Sequence, residues 1–262
     1  DVRNCFYSEI TEYIRREVES YGFFLILGIT GNSSNNEKKY ISEFISRKVD
    51  GVIWVPQLTY VNDIEHMKKL DEYGIPYLFL AAYYEQSSAP FVMCNLKKGS
   101  YLMTQYLIER DIHNIVMLIG DRRVDETYIS GYKMALEEAG LVYSESNVYE
   151  STYHFDDVQK LAMEILKERP EAIMTNSDFT ACAVLQAARI KGLSIPRDLS
   201  VCGYDDVIYA TINQIPLTTV SQPIERMCKL AVNNLMNLLQ YGIVPDSVIL
   251  EPSLIIRDTV KR

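Results

Sequence analysis

The sequence predicts an α/β protein of two lobes, each a doubly wound and mostly parallel sheet. Three observations carry this. Short apolar runs alternate with amphipathic stretches along all 262 residues, the pattern of βα units that feed a parallel sheet. The alternation restarts near Ile115, and two sets of βα units fit two lobes better than one very wide sheet, because twisted open sheets rarely exceed about ten strands. An apolar share of 48% is ordinary for a globular chain and supplies a sizeable core.

Taken in order, Phe6, Ile10, Tyr13, Ile14 and Val18 recur at helical spacing up to Tyr21-Gly22, a C-cap signal. Residues 23–29 are a continuous apolar run, read as a strand. A helix over 36–46, a buried strand over 51–56, a helix over 62–73 closed by Gly74 and an apolar run over 77–82 follow. Residues 92–94 are a brief strand, and 95–110 form a long helix with Leu102, Tyr106 and Leu107 on one face. The second set runs strand 115–119, helix 128–139, strand 147–150, helix 156–168, strand 172–175 and helix 178–191. Residues 218–221 read as a connection, 223–241 as a long helix, and 248–250 and 254–256 close the chain.

The stretch from Ile195 to Asp206 organises the second half. It is a turn, then a short apolar run fit for a buried strand, then Gly203 and two carboxylates where that strand ends. In open parallel sheets ligands sit beyond the carboxyl ends of the strands, so Asp205 and Asp206 are site candidates. Both also read as caps of the following helix, as does Ser177-Asp178 for the helix at 178.

A net charge of −9 argues against this chain gripping nucleic acid by itself, since phosphate binding needs a basic footprint. No apolar run reaches about 18 residues and no export signal opens the chain, so neither membrane nor secretion is expected. The five cysteines (Cys5, Cys94, Cys182, Cys202, Cys228) are scattered and odd in number, which fits reduced thiols in the cytoplasm. The histidines have no ligand spacing, so no metal is expected, and no cofactor motif is present. No recognised catalytic arrangement appears, and the chain is not read as an enzyme. Trp54, inside an apolar run, reads as a packing residue.

Proline, an acidic residue, an aliphatic, Ser200-Val201 and Gly203-Tyr204-Asp205-Asp206, followed by Pro216-Leu217-Thr218-Thr219-Val220-Ser221-Gln222-Pro223, resemble two consecutive signatures of the effector-binding domain of lactose-repressor-type bacterial transcription regulators. The likeness extends over nearly the whole chain: Asp1 to Tyr7, Ser46 to Ile53, the Asn95 to Gly99 helix start and the Pro252 to Arg257 end. The run from Gly74 to Pro90 is closest to the arabinose-repressor branch.

The resemblance implies a type I periplasmic-binding-protein-like fold whose lobes are joined by a multi-crossover hinge. The lobes would be residues 1–112 with 223–243 and residues 113–222 with 244–262, with the ligand in the cleft between them. An apolar strand precedes the Asp-x-x-Asn segment in that family, so the first strand and a DNA-binding head are expected upstream of Asp1. The implied partners are a small polar effector, a second copy in a homodimer using residues 207–212, and operator DNA through the upstream head alone.

By position, Asp205, Gln222, Phe6 and Phe155 match or neighbour ligand-contacting positions of the family. Three of its polar contacts are replaced: an arginine by Tyr128, an asparagine by Ser177, and a polar residue by Ala81. Loss of a bidentate arginine is not conservative. Tyr83, Tyr84, Tyr128, Arg122 and Arg123 are expected to rebuild the pocket with stacking and a displaced cation. A secreted sugar-binding protein of a transport system is the alternative with the same fold.

Overall fold

A computed structural model describes residues 4–31, 33–56, 64–122, 125–152 and 154–261. The chain divides into two compact units, Asp1–Cys94 with Pro223–Leu250 and Asn95–Gln222 with Glu251–Arg262. Part of the Asp1 to Tyr7 match, the start of the helix expected over 62–73, and Arg123 lie outside the described residues.

Numbered in chain order, the elements begin with α1 (Cys5–Ser20), α2 (Ser34–Ser46), β1 (Val52–Trp54), α3 (Glu65–Glu72), β2 (Tyr77–Leu80), β3 (Phe91–Cys94) and α4 (Leu96–Ile108). Then come β4 (Ile115–Ile119), α5 (Glu126–Glu138), β5 (Val148–Glu150), α6 (Phe155–Ile165), β6 (Ala172–Thr175), α7 (Asp178–Ile190) and β7 (Ser200–Asp205). The chain ends with α8 (Tyr209–Ile212), β8 (Thr218–Ser221), α9 (Ile224–Tyr241), β9 (Val248–Leu250) and β10 (Ser253–Ile255).

In the first unit α1 forms because Phe6, Ile10, Ile14 and Val18, four residues apart, make one buried stripe, and because Asn4 caps its start by accepting from Phe6 N at 3.0 Å. The stripe packs with α9, whose Met227, Cys228, Ala231 and Val232 are fully buried. The sheet is parallel, in the order β1-β2-β3-β9. Its core joins Ile41, Val52, Met67, Leu70 and Phe79 to Trp54 and Tyr84. Trp54 is more than packing: its Nε1 donates to the buried Glu37 carboxylate at 3.0 Å, and Tyr84 Oη donates to the same group at 3.0 Å. His66 Nε2 lies 3.4 Å from it.

Residues 23–29 differ from expectation. They have no regular secondary structure and join no ladder among the described residues, and Phe24 is 90% exposed. Residues 22–30, residues 47–56 and the Ile10 and Ile14 face of α1 line an open, largely apolar groove of about 690 Å³. An apolar run becomes a strand only when a neighbour accepts its backbone hydrogen bonds.

Among the described residues the second unit has six strands in the order β10-β8-β7-β6-β4-β5, all parallel except β10 against β8. Residues 218–221, read as a connection, are strand β8, because Thr218 to Ser221 find partners on both sides. Alternate residues of β4 face opposite ways: Ile115, Met117 and Ile119 join α4 and α5, while Val116 and Leu118 join α6 and α7. Both faces are therefore covered, as a parallel sheet requires. The helix α4, grouped with the first lobe in the sequence reading, packs on α5 and falls in the second unit. The contact is close because Gly131 has no side chain: a Cβ there would stand 2.1 Å from Lys97 O.

Candidate functional site

The carboxyl ends of the second unit's parallel strands bring together several of its buried polar side chains, Asn176, Asp205 and Gln222 among them. Asp205 is the last residue of β7, is 7% exposed, and has φ of 100°. A non-glycine residue rarely adopts that conformation, and such outliers persist where surrounding contacts enforce them. One such contact is the hydrogen bond from Gln222 Nε2 to Asp205 Oδ1 at 2.8 Å. The register that pairs Asp205 with Ser221 places Gln222 one step beyond, at the neighbouring strand end.

Asp178, fully buried, opens α7 and ties three segments together. Its carboxylate accepts from Val207 N at 2.8 Å and from Thr219 Oγ1 at 2.5 Å. Gly203 makes room, since a Cβ there would meet Asp178 Oδ1 at 2.2 Å. Burial, and then the nearby Asp205 charge, hold Asp178 well above the usual carboxylate range, against the pull of its two hydrogen bonds. Asp206 does not cap the next helix; it accepts from Arg257 Nη2 at 2.6 Å.

At the β4 and β6 ends the chain order reverses, since β4 leads to β5 on one side and β6 lies on the other. Ligands of open α/β sheets favour such switch points. Asp125 Oδ2 here accepts from Gly120 N at 2.9 Å and from Asn176 Nδ2 at 2.8 Å. Burial raises Asp125 to about 6, partly offset by those hydrogen bonds. Asn176 Oδ1 is buried with no hydrogen-bond donor.

The remaining expected residues are placed as follows. Ser177 is the N-cap of α7, accepting from Thr180 N at 3.1 Å. Tyr128 is buried in the unit's core, edge-to-face with Tyr204 at 4.9 Å. Phe155 meets Phe179 edge-to-face at 5.8 Å. Arg122 donates to Glu150 at 3.1 Å, to Glu145 and to Val148 O. Phe6 and Tyr83 belong to the first unit, where Phe6 is buried in the α1 stripe and Tyr83 stacks on Phe91 at 4.2 Å. The structure thus joins Asp205 to Gln222 directly. It adds Asp125, Asn176 and Arg257, which sequence reasoning missed although Asp125 and Asn176 follow the apolar runs of β4 and β6.

No helix among the described residues is long and apolar enough to cross a membrane. Residues 104–260 match the model of the periplasmic binding protein-like domain. The transcriptional repressor PurR of Vibrio atlanticus is 33% identical over 98% of this chain and 78% of its own length. The transcriptional regulator DegA of Bacillus subtilis is 30% identical over 87% of this chain and 68% of its own. Among solved structures, the complex of the transcriptional regulator CelR with cellobiose superposes with TM-score 0.86 at 25% identity, over 98% of this chain and 79% of that one. The regulator CcpA of Lactococcus lactis gives 0.89 at 22%, over 100% and 96%, a likeness of fold. A regulator from Enterococcus faecium with bound ribose gives 0.88 at 20%, over 99% and 96%, likewise of fold. All are named as regulators and none as an enzyme or transport component. They give no support to the arabinose-repressor branch.

Proposed function

This chain belongs to the lactose-repressor family of transcription regulators, as their periplasmic-binding-protein-like effector domain, and we propose that a small hydroxylated effector, a sugar or a related compound, binds at the polar edge of its second unit. The observation that carries the reading is the Asp205 and Gln222 pair, a buried carboxylate on strained backbone held by a buried amide. Hydroxyls removed from water need paired acceptors and donors, and this pair offers both. Sugars in two of the structural relatives, cellobiose and ribose, support the ligand class.

In this reading Asp205 and Gln222 bind ligand hydroxyls, Ser177 adds a hydroxyl, and Phe155 and Tyr128 shape the pocket. Arg122 borders it. The effector acts by binding one state of the regulator more tightly than another. Operator DNA is met through a DNA-binding head of the kind the regulator relatives carry in their names, in the cytoplasm. Dimerisation uses residues 207–212; Val207 and Ala210 are buried, which leaves Ile208 and Ile212 as the available apolar contacts. A monomer in sedimentation at micromolar concentration would exclude that surface.

The test is a melting screen against D-ribose, D-glucose, cellobiose and related sugars. A ligand at a hundredfold excess over Kd stabilises by about 2.7 kcal/mol, roughly 5–10 °C in Tm. Asp205→Asn should abolish the shift and leave the ligand-free Tm near wild type. An undiminished shift in that variant refutes the site.

A further inference from the structure

We propose that the polar edge of the second unit selects an effector that is rich in hydrogen-bond donors and carries no negative charge, and that Asn176 and Asp125 set this choice. The proposal rests on the effector reading above and adds the ligand's charge class and two discriminating residues.

The first observation is Asn176. It is 7% exposed, its Nδ2 is committed to Asp125 Oδ2 at 2.8 Å, and its Oδ1 is buried without a donor. Buried acceptors nearly always have partners, and leaving one unmet is costly. A ligand O–H or N–H reaching Asn176 Oδ1 supplies the missing donor. Because Asn176 follows β6 and Asp125 precedes α5, the pair spans the switch point of the sheet.

The second observation is the fate of the cations. Arg122 is occupied by Glu150, Glu145 and Val148 O, and Arg257 by Asp206 and Leu217 O. Asp125 accepts from Gly120 N and Asn176 Nδ2, and Asp178 from Val207 N and Thr219 Oγ1, all neutral donors. A phosphate or carboxylate ligand would enter among carboxyl groups with no uncommitted cation among these described neighbours, and like charges brought together in a poorly solvated site repel strongly. A neutral polyol or a hydroxylated amine brings donors for the acceptors already in place.

Calorimetry with matched probes tests this: D-ribose against D-ribose 5-phosphate, and D-glucose and D-glucosamine against D-glucose 6-phosphate. The wild type should bind an uncharged or amine member at least tenfold more tightly than its phosphate ester. Asn176→Ala should weaken that sugar tenfold or more; it also removes the donor to the buried Asp125 carboxyl and should lower the ligand-free Tm, so affinity is compared at a temperature where the variant is fully folded. Asp125→Asn should narrow the gap between sugar and ester, and the isosteric Asn176→Asp should widen it. A phosphate ester that binds as tightly as its parent sugar, or an affinity unmoved by Asn176→Ala, overturns the proposal. Binding that depends on Asp205 yet favours the ester overturns the charge class alone; no binding of any probe overturns the effector reading and this inference with it.

Discussion

The two units contain the same kind of parallel sheet, but only the second is filled to its edges. Its six strands are paired, its faces are covered by α4 with α5 and by α6 with α7, and its helices approach closely enough that Gly131 has no room for a methyl group. In the first unit four strands pair among the described residues, while residues 23–29 form no strand and line an apolar groove with Phe24 almost wholly exposed. The difference teaches that hydrophobicity proposes a strand and hydrogen-bonded neighbours make one.

The contrast is broken most forcefully at Gly131. Gly131→Ala should lower stability by about 3 kcal/mol or more, because overpacking here presses a Cβ against the rigid carbonyl of Lys97 rather than a movable side chain; urea unfolding measures it. The next effect is pH-dependent. Asp125 titrates near 6 when folded and near 3.8 when unfolded, so the folded state holds the extra proton between those values and stability falls as pH rises through the window. The loss is about 3 kcal/mol, and Asp125→Asn should flatten the profile between pH 4 and 6.

The first unit gives smaller effects. Glu37→Gln keeps the shape but replaces one acceptor oxygen by a donor facing Trp54 and Tyr84, and should cost about 1–3 kcal/mol in thermal or urea unfolding. Phe24→Ser should change stability by less than about 0.5 kcal/mol, as for a surface position. A large loss there would mean that residues 23–29 already pack as a strand.

The sequence made most of this readable wherever local signals and tertiary partners agree. The α1 stripe, the β4 alternation and the Gly203 to Asp206 turn each carry a period or a residue type that permits few alternatives. Residues 23–29 and 218–221 misled in opposite directions for one reason: whether four to seven apolar or β-branched residues form a strand depends on neighbours distant in the chain. Asp205 was legible because a motif surrounds it and Gln222 because it closes one. Asp125 and Asn176 were not, since their contact joins residues 51 positions apart and only the reversal of strand order between β4 and β6 brings them together.

The most direct measurement is hydrogen exchange of the amides at residues 203–207 and 220–222, with and without the sugar that gives the largest melting shift. Protection concentrated at those two strand ends, and lost in Asp205→Asn, is the predicted result. Binding that protects only residues elsewhere, with those strand ends unchanged, would contradict the account.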